Sequence, residues 1–342
     1  MQSPTLKNKK IVIAGGTGFI GQALAGYFGK DNQITILSRH AVHAHNNAYH
    51  KKLLEPAEGY RITYWRWDGL RVEKHWADAI SGADIVINLA GRSVNCRYTQ
   101  KNKQEILESR RDATRAIGLA IREAAVPPKV WINAASATIY RHAEDHPQDE
   151  YAEAGAPSHF SGEFNNGFSV QVCKAWEKAF EEERTPFTRK IALRTAITLG
   201  EGGAIVPYLK LLKFGLGGHQ GNGRQMFSWV HVEDVCRAIE WIYDHDELEG
   251  IFNISSPCPV TNREFMATLR KVTGHRIGLP APAWLLKAGA AVIGTETELV
   301  LKSRWVLPTR LSGTGFTFKY AEPLHALKDI VERLPHSGYR LF

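Results

Sequence analysis

Lys10 to Gly21 reads KIVIAGGTGFIG. After Lys10, the next four residues are β-branched or apolar, which suits a strand buried on both faces. Three glycines then fall at Gly15, Gly18 and Gly21, and Phe19, Ile20, Ala23, Leu24, Tyr27 and Phe28 follow at helical spacing. Strand, glycine turn and helix in immediate succession build an anion site. Turn glycines let a pyrophosphate approach the backbone, and the N–H groups of Thr17, Gly18, Phe19 and Ile20 open the helix with its positive end. Gly21 lets helix and strand pack closely. The segment therefore predicts a dinucleotide-binding β-α unit.

The same alternation continues outward. Apolar runs at 33–37, 61–65, 84–90, 130–135, 190–194 and 250–254 predict six further strands. Helical periodicity marks 106–121, ending before Pro127 and Pro128, then 168–183 and 232–243. Alternating strands and helices imply right-handed crossovers and a Rossmann-type, doubly wound, seven-stranded parallel sheet. After Leu199 the texture changes to glycine-rich loops, and prolines divide the chain beyond Pro257. The expected organisation is a dinucleotide-binding domain over 8–200, with 229–255 returning to the sheet. A smaller C-terminal, substrate-side lobe covers 201–228 and 256–342. No internal repeat or low-complexity tract interrupts this pattern.

The 342 residues carry 43 Lys and Arg against 35 Asp and Glu, a net charge of +8 that favours anionic ligands. No nucleic-acid motif accompanies that charge. The apolar stretches at 85–91 and 288–294 fall short of a bilayer span, and the polar start MQSPTLKNKK has no secretory signature. A cytoplasmic protein with no membrane contact is expected. Cys96, Cys173, Cys236 and Cys258 are isolated from one another and read as reduced thiols. His40, His43, His45 and His50 lie close together but lack metal-ligand spacing, so a solvated basic loop is expected and no metal site.

Cofactor choice turns on the end of the second strand, Leu37-Ser38-Arg39. NAD(H)-selective sites place an acid there for the ribose 2′-hydroxyl. None is present, and Arg39 with Ser38 offers charge-assisted bonds to a 2′-phosphate, which favours NADP(H) over NAD(H). Asp68, after the third strand, either accepts from the adenine amino group or caps the turn before Gly69.

Several further motifs carry a family resemblance. GGTGFIG (Gly15 to Gly21), NLAG (Asn88 to Gly91), SATIY (Ser136 to Tyr140), ALRTAITLG (Ala192 to Gly200) and FSWVHVEDV (Phe227 to Val235) resemble extended short-chain dehydrogenase/reductases of the NAD-dependent epimerase/dehydratase superfamily. INLAG, Ser109-Arg110, CKAWE (Cys173 to Glu177), GNGRQMFSWVH and PTRLSGTGFTF are similar to its atypical YfcH-like branch, whose C-terminal region is a domain of unknown function. The resemblance implies an NADP-type cofactor along Gly15 to Gly21, Arg39, Asp68 and Ala90-Gly91. It places the loops of Arg194, Arg224 and His231 around a small-molecule substrate of unknown identity. It also implies a homodimer through the helices at 106–121 and 172–180, unless their apolar stripes are spent on the sheet.

One departure stands out. The superfamily uses a Tyr and a Lys four residues later on one helical face, the ammonium lowering the phenol pKa for proton exchange. No Tyr in this chain has Lys four residues later. Aligning on Glu177 puts Ser169 and Cys173 at the two positions, whereas the register that retains Lys174 puts Val170 in place of the Tyr. Ser136 matches the hydroxyl that polarises a substrate carbonyl, and could equally cap the following turn. Two functions follow: an NADP(H)-dependent oxidoreductase or epimerase on a carbonyl or secondary alcohol such as a nucleotide sugar, or a non-catalytic NADPH-binding sensor or scaffold. Tyr140 and Trp176 are expected to be core aromatics.

Overall fold

A computed structural model describes residues 5–39, 59–154, 167–286 and 296–339. The His40, His43, His45 and His50 cluster and the apolar stretch at 288–294 lie outside the described residues. The strands are β1 (Lys10–Ala14), β2 (Gln33–Ser38), β3 (Arg61–Arg66), β4 (Ile85–Asn88), β5 (Val130–Ser136), β6 (Arg189–Thr195), β7 (Ile197–Leu199), β8 (Met226–Phe227), β9 (Trp229–His231), β10 (Gly250–Ile254) and β11 (Val260–Thr261). The helices are α1 (Phe19–Phe28), α2 (Lys74–Ala77), α3 (Gln100–Glu123), α4 (Phe168–Glu182), α5 (Ile205–Lys213), α6 (Val232–Asp244), α7 (Asn262–Thr273), α8 (Glu298–Leu301), α9 (Thr309–Gly313) and α10 (Pro323–Arg333).

Seven parallel strands pair in the order β10-β6-β5-β4-β1-β2-β3, the doubly wound arrangement expected from the sequence. Winding reverses between β1 and β4, so their carboxyl ends open the crevice where such sheets bind ligands. Side chains alternate across the sheet. Ile11 and Ile13 join the core under α1 and α6, while Val12 and Ala14 join the opposite core with Ala113 and Ile117 of α3 and Phe180 of α4. The apolar stripes of α3 and α4 are thus buried within the single chain.

A third core belongs to the C-terminal lobe, where Phe227 stacks on Phe265 at 4.1 Å between α5, α7 and α10. The seam between the lobe and the sheet contains Ala137, Ile139, Tyr140, Cys173, Ala196 and Val306. Segment 302–307 runs along this seam. Arg304 N–H donates to the Met226 carbonyl (2.9 Å), Ser228 N–H to the Arg304 carbonyl (3.1 Å), and Gln148 N–H to the Trp305 carbonyl (2.8 Å). Among the described residues no helix is long and apolar enough to cross a membrane, and all four cysteines are free.

At the crevice a buried polar knot fixes the end of β4. Asn88 Nδ2 donates to Asn133 Oδ1 (2.7 Å) on the neighbouring strand, while Asn88 Oδ1 accepts from the Ala90 N–H (3.1 Å). Thr114 Oγ1 accepts from Trp176 Nε1 (3.1 Å) and lies 3.3 Å from Asn88 Nδ2. Both asparagines are buried, so each lost partner leaves a desolvated polar group. Asn88→Ala is expected to cost about 1–3 kcal/mol. The check is a lowered urea midpoint at unchanged slope; an unchanged midpoint would show that the knot contributes nothing.

Candidate functional site

The glycine turn meets β4 at van der Waals distance. Gly15 has φ 75°, and a Cβ there would lie 2.9 Å from the Leu89 carbonyl carbon. Gly18 caps α1 without a side-chain bond, and the first turn of the helix carries no acidic residue, leaving N–H groups directed at the crevice. A Cβ on Gly21 would fall 2.5 Å from Gly16 Cα, so Gly21 serves the packing of helix on turn. Phe19 turns away to pack against Gly200 and Gly203, and Ile20 packs on the core. Thr17 Oγ1 lies 3.2 Å from Ser38 Oγ, tying the turn to the end of β2.

These elements border an open cavity of about 640 Å³. It is lined by Gly15, Thr17 and Gly18 of the turn, by Ser38, Arg39 and Asp68 at or beyond the ends of β2 and β3, and by Ala90, Gly91 and Ser109 beyond β4 and on α3. Eight of the eleven expected cofactor positions line this cavity; Phe19, Ile20 and Gly21, on the first turn of α1, do not. Arg39 is exposed at the rim. Asp68 Oδ1 accepts from the N–H groups of Leu70 (2.7 Å) and Arg71 (2.9 Å), so the turn-capping alternative is realised. Burial opposes its charge, but these N–H donors outweigh that and hold the carboxyl below its ordinary value. Beyond Gly91, Arg92 pairs with Glu105 and donates to Asn102 Oδ1 (2.9 Å), bracing the β4–α3 loop.

Past the strand ends lies a second cluster. Ser136 Oγ accepts from Thr138 N–H (3.2 Å), capping a short 3-10 turn at Ala137–Ile139 that packs with Cys173 in the seam. Cys173 is buried, which pushes its thiol up to about 11. Ser169, four residues earlier on α4, donates to Glu298 Oε2 (2.8 Å), and Tyr98 Oη lies 3.4 Å from Ser169 Oγ. Lys302 enters from the C-terminal segment, 2% exposed, and donates to the Thr138 carbonyl (2.8 Å). Burial, reinforced by Arg304, holds its ammonium down at about 8. The sequence reading missed Tyr98 and Lys302. Lys302 sits in the apolar run LVLKSRWVLP, and a lysine inside such a run is the signal that was available.

The three substrate-side positions are not among the cavity-lining residues. Arg194 is buried and bidentate to Glu177 (2.8 and 2.7 Å), and donates to Tyr140 Oη (2.9 Å). Burial disfavours its charge, yet Glu177 more than compensates and its pKa is raised. The guanidinium clamps α4 to β6. His231 is buried and caps α6 through Nδ1, while its Nε2 faces Asp329 (3.3 Å). Arg224 is exposed, 3.8 Å from Glu144. Tyr140 and Trp176 are buried, as expected. Among the described residues no group of three His, Cys, Asp or Glu side chains could hold a metal ion.

Comparison with known proteins places this architecture. The profile of the NAD dependent epimerase/dehydratase family matches residues 11–255, and that of a domain of unknown function (DUF1731) matches 281–330. Epimerase family protein YfhF of Bacillus subtilis is 31% identical over 324 residues, covering 94% of this chain and 97% of its own. The crystal structure of human epimerase family protein SDR39U1 (isoform 2) with NADPH superposes with a TM-score of 0.76 at 28% identity, covering 95% of this chain and 99% of the human one. A UDP-N-acetylglucosamine 4-epimerase from Methanobrevibacter ruminantium shares the fold at TM-score 0.72 and 16% identity, covering 96% and 98%.

The glycines divide into two classes with separable outcomes. A side chain at Gly18 would meet only the Gly15 carbonyl oxygen, at 3.3 Å, whereas one at Gly21 would strike backbone. Gly18→Val is therefore expected to melt close to the parent protein, and Gly21→Val to lose several degrees or fail to fold. Calorimetry showing equal melting temperatures for the two variants would refute the distinction.

Proposed function

The chain belongs to the NAD dependent epimerase/dehydratase family, and from that premise we propose that it binds NADP(H) and acts as an oxidoreductase or epimerase on a carbonyl or secondary alcohol. The observation that carries this reading is the cavity at the sheet's switch point, where an open helix N-terminus and a Ser38-Arg39 rim stand at one end. A related human protein crystallised with NADPH supports the same choice.

Each residue has a chemical task in this reading. The N–H groups of Thr17, Phe19 and Ile20 bind pyrophosphate oxygens while the Gly18 N–H closes the turn on the Gly15 carbonyl (3.0 Å), and Gly15 and Gly18 keep the approach free of side chains. Arg39 and Ser38 take the 2′-phosphate by charge-assisted bonds, an interaction a rim carboxylate would oppose. Asp68, with Oδ1 engaged by its own turn, presents its other oxygen to the adenine amino group. Ala90 and Gly91 form a smooth wall, held in place by Asn88. When bound, the nicotinamide supplies or accepts hydride. Ser136 donates its hydroxyl proton toward the substrate oxygen, lowering the cost of charge that develops there. A nucleotide-linked sugar is the first substrate class to screen, followed by simple aldehydes, ketones and alcohols.

NADPH is expected to raise the melting temperature more than NADH at equal concentration. Saturation at 100-fold above Kd contributes about 2.7 kcal/mol. Arg39→Asp should reduce or reverse the preference, and equal shifts from the two cofactors in the parent protein would sink the NADP(H) assignment.

Ser136→Ala should lower NADPH-dependent turnover on the order of 10²-fold while leaving NADPH affinity unchanged, because the hydroxyl acts on substrate. Full turnover by the variant removes Ser136 from the mechanism. NADPH binding without turnover across the screen identifies a non-catalytic binder.

A further inference from the structure

We propose that Lys302, carried into the Ser136–Cys173 corner by the C-terminal segment, is the acid-base residue of the reaction, replacing the tyrosine and lysine that α4 lacks. The inference rests on the NADP(H)-dependent reading above. Its geometric basis is independent of that reading. Where the family's spacing calls for two long polar side chains, α4 has Ser169 and Cys173. Both are short, and the Lys302 ammonium, from the C-terminal segment, lies within electrostatic reach of Cys173. Lys302 is buried, its ammonium donates to the Thr138 carbonyl at 2.8 Å, and the Thr138 N–H donates to Ser136 Oγ.

A buried ammonium normally lies beside a carboxylate, because desolvating a charge costs several kcal/mol. Lys302 forms no ion pair among the described residues, and of its three N–H donors one has an acceptor among them. A site serving only stability would be better filled by methionine or leucine. The charged and titratable groups that act on it are Arg304 and Glu298 from its own segment, Cys173 from α4, and His142 beyond the 3-10 turn. Burial and Arg304 disfavour the ammonium, and Glu298 and Cys173 favour it. The balance leaves a group that exchanges its proton near neutral pH, the condition for efficient general acid-base catalysis.

In reduction, hydride from the reduced nicotinamide forms the new C–H bond at the carbonyl carbon, and the C=O π pair moves onto oxygen. A Lys302 N–H bond breaks as the O–H bond forms, leaving a neutral amine that solvent reprotonates. In oxidation the neutral amine takes the alcohol proton while hydride leaves for the oxidised nicotinamide. Ser136 donates to the same substrate oxygen in both directions.

Proton counting during cofactor binding tests the placement without any substrate. An oxidised nicotinamide carries a positive ring and a reduced one does not, so an adjacent ammonium should lose its proton more readily in the NADP+ complex. At pH 8 the other neighbours are silent: burial holds His142 below its ordinary value and Cys173 up at about 11. Titration calorimetry at pH 8 in buffers of differing ionisation enthalpy should show release of roughly 0.4 proton per site with NADP+ for a one-unit fall in the Lys302 pKa, and less with NADPH. Lys302→Met should abolish the difference while still binding both forms. If that variant does not fold, Lys302→Arg keeps the charge, cannot titrate in this range, and should abolish it equally. Binding with the same proton release in parent and variant overturns the role of Lys302 alone. Failure of the parent protein to bind NADP+ or NADPH overturns the cofactor reading and this role with it.

Discussion

The contact between Gly15 and the Leu89–Ala90 peptide is the constraint on which the dinucleotide end depends. β1 and β4 are neighbours in the sheet, and beyond their last paired residues, Ala14 and Asn88, the two chains must part without separating. A positive φ at Gly15 turns one chain aside, and the missing Cβ lets the other pass at 2.9 Å from where that atom would sit. Asn88 then holds the Ala90 N–H, so the wall opposite the turn keeps its position. The cavity follows from these backbone facts before any charged side chain is considered.

Reactive groups at the other end are gathered differently. In the usual family arrangement one helix face carries the acid-base pair, and position on that helix sets the geometry. Here α4 is held rigidly by Arg194 through Glu177 and Tyr140, yet it offers only small side chains to the corner. Longer side chains arrive from the β4–α3 loop, as Tyr98, and from the C-terminal segment, as Lys302. The C-terminal region matched by the domain of unknown function thereby packs into the seam beside the sheet rather than standing apart as a separate module.

Legibility in the sequence followed the range of the interaction. Strand-turn-helix chemistry is local, so KIVIAGGTGFIG and the alternation of apolar runs made the seven-stranded, doubly wound parallel sheet legible, though not its strand order. Strand ends shifted by a residue or two, and α3 begins at Gln100, where Thr99 caps it by accepting from Asn102 N–H, six residues before the first apolar position used to mark it. Asp68 and Ser136 were each read with two roles, and both turn caps are present in the fold. Arg194 and His231 were assigned to substrate because a buried partner cannot be seen from spacing: Glu177 lies 17 positions away and Asp329 is on α10. Lys302 escaped for the same reason, since its acceptor Thr138 is 164 positions upstream.

That separation also orders the protein's own manufacture. Residues 15–113, which line the dinucleotide cavity, are complete long before Lys302, Ser303 and Arg304 reach their partners between Thr138 and Ala143. At about 5–20 residues per second, translating the intervening chain takes on the order of ten seconds or more. Loop closure over such distances is also slow after release. Nascent chains therefore pass through a stage in which the residues of the dinucleotide cradle have been made and those of the corner have not. Capture of the ligand at that stage would help the sheet to hold while the last segment threads the seam.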